Sequence, residues 1–225
     1  MMTDAGLEQS TVSPSTGRLV GILIAVVSVL IVLMMAHHPS LSAHDAAGMA
    51  AELVRKAWLG RVVHGSLIAL SLVLLFAFTE FSLHIGLQRP LVRAALIAYA
   101  VAIAAGVCAA LISGFVVADL GIHYAGGAPG DLETLRHLLY LSLRINQAFA
   151  GLDVVATSCA IVLWSLALVR RSVVITVAGF VLGGGPALAL LAGVLHLDVH
   201  GMMLAIVCAM AWNLLLATEL LRRKL

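Results

Sequence analysis

Residues 19–36 read LVGILIAVVSVLIVLMMA, eighteen positions without one charged side chain, and His37-His38-Pro39 closes the run. A segment of that length and polarity is a membrane-spanning helix, because ~20 apolar residues at 1.5 Å each cross the hydrocarbon. Five further stretches qualify or nearly do: 62–83, 94–118, 148–169, 173–195 and 202–221. The expectation is an all-α, polytopic integral membrane protein, a single six-helix bundle over residues 1–225.

Composition agrees. Hydrophobic residues make up 62% of the 225 and charged residues 11%, too few to coat a soluble core. A net charge of +2, with one basic cluster at Arg222, Arg223 and Lys224 just past an apolar helix, excludes nucleic acid as a partner. The bilayer is the partner implied, with a second copy or other membrane subunits as further possibilities. Cys108, Cys159 and Cys208 lie in apolar stretches without Cys-x-x-Cys spacing, so they read as packing residues. The first apolar run reads as an anchor and not a cleaved signal: Asp4 and Glu8 precede it without a basic residue in 1–17, and Leu41 spoils a small-x-small site before Ala43.

Two connections carry amphipathic helical segments. In 43–58, Met49, Ala50, Leu53, Val54, Ala57 and Trp58 share one face, with Glu52, Arg55 and Lys56 on another. Ser42 and Asp45 have capping-box spacing, so a short interfacial helix is expected there. In 119–147 a Gly126-Gly127-Ala128-Pro129-Gly130 break precedes Asp131, which reads as the N-cap of a helix running into the fourth span. Six spans put eight basic residues on the side of the termini and five on the other. By the positive-inside rule both termini are cytoplasmic in a cell inner membrane.

On that map, eight of nine histidines fall on the side away from the termini: His37, His38, His44, His64, His123, His137, His196 and His200; only His84 does not. Imidazole is the commonest ligand of transition metals, so this face is a candidate site for zinc or copper, or for haem. His196 and His200 are the leading pair if the sixth helix starts there, since i, i+4 rings share a face; His44, His64, His37 and His123 are the other candidate ligands. Asp119, Asp131 or Asp198 would orient a ligand ring. The other reading is that the histidines sit at the headgroup boundary with no ligand.

A second constellation lies on the fourth helix. Glu133, Arg136, His137, Tyr140, Arg144 and Gln147 recur at three- and four-residue spacing, and Asn146 and Asp153 carry polarity into the span. An intramembrane aspartate costs roughly 2.5–3.5 kcal/mol at a helix centre, so Asp153 must face protein or water. Its candidate partners are Arg144, His64 and Asn213. Asp153, Arg144 and Asn146 would line a solute or proton path, or else form a structural ion pair. Gly183-Gly184-Gly185-Pro186 in the fifth span either lines a cavity or, with Gly179 at GxxxG spacing, makes a close helix contact.

Ser40 with His44, and His196 with His200, resemble the Ser-x-x-x-His and His-x-x-x-His elements of alkaline-ceramidase-like membrane hydrolases. The resemblance implies zinc held by His44, His196 and His200, with a bound water attacking an amide. It covers two short motifs, and the chain departs from the pattern: it has six expected spans, not seven, and Arg55 stands where an aspartate belongs. Three functional classes follow: a metal- or haem-binding membrane protein, a small-solute or ion permease, and an accessory subunit of a larger complex.

Overall fold

The computed structural model describes residues 14–39, 43 and 45–222. Among them the chain is helical, and six helices are long and apolar enough to cross a membrane. The protein is an all-α, multi-pass membrane protein.

Helix α1 (Pro14–Ala36) starts with a proline, whose missing N–H is no loss at a first turn. It stops where Pro39 follows, and the His37 ring nitrogen Nδ1 closes on the Leu33 carbonyl at 2.8 Å, satisfying one of the last orphan acceptors. Helix α2 (Ala46–Ile85) is a single 40-residue helix. The segment expected as a separate interfacial helix is therefore the first third of α2, continuous with the second span. Its cap is Asp45, which accepts the Gly48 N–H. Ser42, expected to open the helix, lies outside the described residues.

The third span comprises α3 (Pro90–Leu111), one π-helical stretch (Ile112–Val116) and α4 (Val117–His123). Helix α5 (Pro129–Ala167) begins two residues before Asp131. Asp131 thus sits in the first turn and accepts the Ala128 N–H at 3.0 Å, a reciprocal cap rather than the N-cap itself. The fifth span is built from α6 (Val173–Ala178), a second π-helical stretch (Gly179–Gly184) and α7 (Gly185–Leu191). It ends at Gly193, whose φ of 69° only glycine adopts without cost. Helix α8 (Val199–Leu221) is capped by Asp198, which accepts the Gly201 N–H at 2.8 Å.

Helix α2, 40 residues long, measures ~60 Å, about twice the ~30 Å hydrocarbon thickness. The excess of α2, α4 and α5 stands at the end of the bundle away from the chain termini, here the distal end. There the charges pair: Arg61 with Asp119, Lys56 with Glu52, Arg136 with Glu133. Leu135 and Leu53 are buried there, and α2, α4 and α5 pack on one another as a collar.

The core lies at the other end. Phe78, Phe81, Trp164 and Trp212 are all fully buried, with Phe78 stacked on Trp164 at 4.7 Å between centroids and Tyr99 edge-on to Trp164 at 5.4 Å. Both indoles are satisfied: Trp164 donates to Ser82 Oγ at 3.2 Å and Trp212 to Ser165 Oγ at 3.1 Å. Gly179 and Gly183 bring the fifth span against α5. A Cβ on them would lie 2.5 Å from Ser165 Cβ and 2.8 Å from Ile161 Cβ, so this glycine pair makes close contact. Helices α3 and α5 form the most extensive pairing, and α1 closes the bundle against α2 and α8.

Candidate functional site

Where α1, α2, α3, α5 and α8 diverge above the aromatic core they leave a cavity of ≈ 200 Å³. It runs from His38 and His64 at its distal end to Phe78, Tyr99 and Trp164. Fourteen residues of α2, about 21 Å of helix, separate its ends. Leu182 and Pro186, in and just beyond the second π-helical stretch, face the same space.

Among the described residues Asp153 is the only carboxylate lining this chamber, and no lysine or arginine lines it. Thr157, one turn along α5, donates its hydroxyl to Asp153 Oδ1 at 3.1 Å. The other oxygen, Oδ2, takes no hydrogen bond among the described residues. It lies against Gly106 of α3, where a Cβ would come within 3.2 Å. The carboxylate thus fits beside α3 because position 106 has no side chain.

None of the three partners expected for Asp153 meets it. Arg144 is exposed, with its guanidinium 4.9 Å over the Tyr140 ring and its Nη2 donating to the Tyr140 hydroxyl at 2.7 Å. Asn213 instead donates to Ser28 Oγ at 3.1 Å, tying α8 to α1. His64 is engaged with His38. Asn146 lines the chamber and accepts a hydrogen bond from Ser113 at 3.0 Å, on the first π-helical stretch. A Thr at i+4 from an Asp is a spacing the sequence displays; Gly106 and Tyr99 carry no such local signal.

At the distal end the two rings form a defined relay. His64 Nδ1 lies 2.8 Å from the Gly60 carbonyl, which can only accept, so Nδ1 carries the proton and Nε2 a lone pair. His38 Nε2, at 3.1 Å, is then the donor to that lone pair. This leaves His38 Nδ1 unprotonated, buried and without a hydrogen bond. Burial, reinforced by His64, holds the His38 pKa down to about 4, and the nearby Pro39 carbonyl offsets this only in part. Gly114 faces this pair; a Cβ there would lie 2.7 Å from His64 Cγ.

The remaining histidines do not assemble. His200 is in the first turn of α8, but His196 precedes the Asp198 cap, so the pair does not share a helical face; both are exposed. His123 is exposed and edge-on to Tyr124, Asp119 is taken by Arg61, and His37 is turned to its own helix end. His44 and Ser40 lie outside the described residues. Among the described residues no three His, Cys, Asp or Glu side chains converge to hold a metal ion. No protein-family model, curated protein or solved structure matches the chain.

Proposed function

We propose that the protein is a carrier of small solutes in the cell inner membrane, with both termini cytoplasmic and the Asp153 chamber as its solute compartment. One observation carries this reading: a chamber within the bundle, lined by the aromatic rings of Phe78, Tyr99 and Trp164 toward the core, holds an intramembrane carboxylate with one oxygen unbonded among the described residues. The 8:5 distribution of basic residues supports the orientation. Two π-helical stretches border the chamber, through Ser113 and Leu182, and such turns are common where transmembrane helices must bend or re-register. The test is flux of charged and neutral small solutes into proteoliposomes. Wild type is expected to carry at least one class faster than protein-free vesicles, and Asp153→Asn to abolish that flux. Equal flux in both proteins, or none in wild type, rejects the reading.

A second reading is favoured by the imidazole pair. Two nitrogens each about 2.0–2.1 Å from one zinc or copper ion stand about 3 Å apart, close to the His38–His64 separation of 3.1 Å. Water would complete the shell. Elemental analysis of purified protein beside His38→Ala/His64→Ala decides it: stoichiometric metal lost in the variant supports it, and metal-free wild type after reloading ends it.

A further inference from the structure

We infer that the chamber takes an amphipathic monocation, its ammonium-type head beside Asp153 and its apolar tail toward the Phe78 and Trp164 rings. This deepens the carrier reading and rests on it for the chamber being a solute compartment.

The charge argument comes first. An ionised carboxylate away from water must meet a cation or lose its charge. Asp153 forms no ion pair among the described residues, and its Oδ2 faces the chamber beside bare Gly106. The other titratable groups facing the chamber are His38, His64 and Tyr99. The two imidazoles are hydrogen-bonded to each other at the distal end. Asn146, level with them, is seven residues or ~10 Å of helix from Asp153. The described residues therefore supply no counter-ion, and for the acid to stay charged an occupant would have to. An anion is repelled for the same reason.

Shape and polarity narrow the class further. A divalent ion needs six or more oxygens at close range, and one carboxylate with Thr157 does not provide them. From Gly106 to Tyr99 is seven residues of α3, ~10 Å, and the walls along that path include Ile103, Val154 and Ile161. A long apolar space below a single acid fits a cation with an apolar tail of that length.

Binding of 3-phenylpropyltrimethylammonium to the detergent-solubilised full chain tests this, read by calorimetry and by quenching of tryptophan fluorescence. The comparison ligands are its uncharged tert-butyl isostere and 4-phenylbutyrate. The cation is expected to bind one-to-one, with the isostere about tenfold weaker or worse, since only the cation neutralises a desolvated acid. Asp153→Asn should lose the cation's advantage and Asp153→Glu should keep part of it. Equal affinity of cation and isostere for wild type overturns the inference without recourse to any variant. So does unchanged cation binding in a folded Asp153→Asn protein, or no binding of the cation at millimolar concentration. The two claims separate cleanly. Cation binding that depends on Asp153, with no flux, leaves this inference standing and removes the carrier. Asp153-dependent flux of neutral or anionic solutes with the cation excluded does the reverse.

Discussion

Replacing Gly114 by alanine tests how closely the first π-helical stretch approaches α2. A Cβ at 114 would lie 2.7 Å from His64 Cγ and 3.0 Å from Nδ1, and its other near neighbour is the His64 Cβ itself. Carbon atoms in ordinary contact stand ~3.5–4.0 Å apart. The neighbour here is the root of a side chain, fixed to the backbone of α2, so rotation cannot relieve the overlap. The two helices must separate by close to an ångström. Overpacking of this kind costs about 1–3 kcal/mol, and the rigidity of both partners places Gly114→Ala at the upper end.

At roughly 2–4 °C per kcal/mol for a chain of this size, a cost near 3 kcal/mol lowers Tm by about 6–12 °C. Thermal unfolding in detergent, followed by near-ultraviolet dichroism of the buried tryptophans, measures it. Gly121→Ala is the matched comparison: its Cβ would press on Leu53 of the same helix, in the distal collar and clear of the chamber. Both variants should lose stability alike, but only Gly114→Ala should weaken the His38–His64 pair and ligand binding. Gly130→Ala, with nothing within 4 Å, should be neutral or slightly stabilising. A Tm for Gly114→Ala within 2 °C or so of wild type would refute the close approach on which this reasoning stands.

Three shorter expectations follow from other parts of the bundle. Ser82→Ala leaves the fully buried Trp164 N–H without its acceptor and should cost about 1–3 kcal/mol, visible as a lower Tm and a shifted tryptophan emission. Arg61→Ala removes a solvent-exposed ion pair with Asp119 and should cost under about 1 kcal/mol; a larger loss would mean that the collar depends on that pair. For His38 the closed distal end favours the neutral ring, with its pKa held at about 4 against an ordinary 6.5. The contribution is complete above pH 6.5 and is lost as pH falls from 6.5 toward 4, because the opened ring takes up a proton that the closed one does not. Discounted for the ring's partial exposure it amounts to about 2 kcal/mol, and exchange of the His37 and His38 amides across that window, in metal-free wild type against His38→Gln, should show it.

The helices were legible because a span must be long and apolar whatever packs against it. The run 19–36 lies within α1, and Asp153 announces itself as an intramembrane acid from sequence alone. Helix ends were less legible. Asp45, Asp131 and Asp198 all cap, yet which of the first turn's positions each one occupies depends on backbone angles that the residue type does not dictate. The expectation of a metal centre drew on eight histidines sharing one face, but sharing a face is a statement about depth and not about distance. Among the described residues only His38 and His64 converge, because Pro39 turns the chain beside Gly60, a turn of α2 away from His64. The site's other members were hidden for the same reason: Gly106 and Tyr99 matter through what lies across from them on α5.

The intramembrane polar groups explain why Asp153 stands apart. Asn213 has Ser28, Trp164 has Ser82, Trp212 has Ser165 and Asn146 has Ser113, each a pair between different elements that welds the bundle. Their removal would cost stability, and their presence needs no ligand to account for it. Among the described residues Asp153 instead bonds within its own helix, to Thr157, and so ties no two elements together. A group that costs free energy to bury and fastens no contact is a poor structural choice, since a leucine would fill the space and lower the insertion cost. The neighbouring glycines sharpen the contrast: Gly114, Gly179 and Gly183 are small so that another helix can approach, whereas Gly106 is small where the nearest atoms are those of the carboxylate. Two positions on facing helices thus give up packing to place one acid oxygen in a space that no lysine or arginine among the described residues lines, which is the observation the proposed cation would account for.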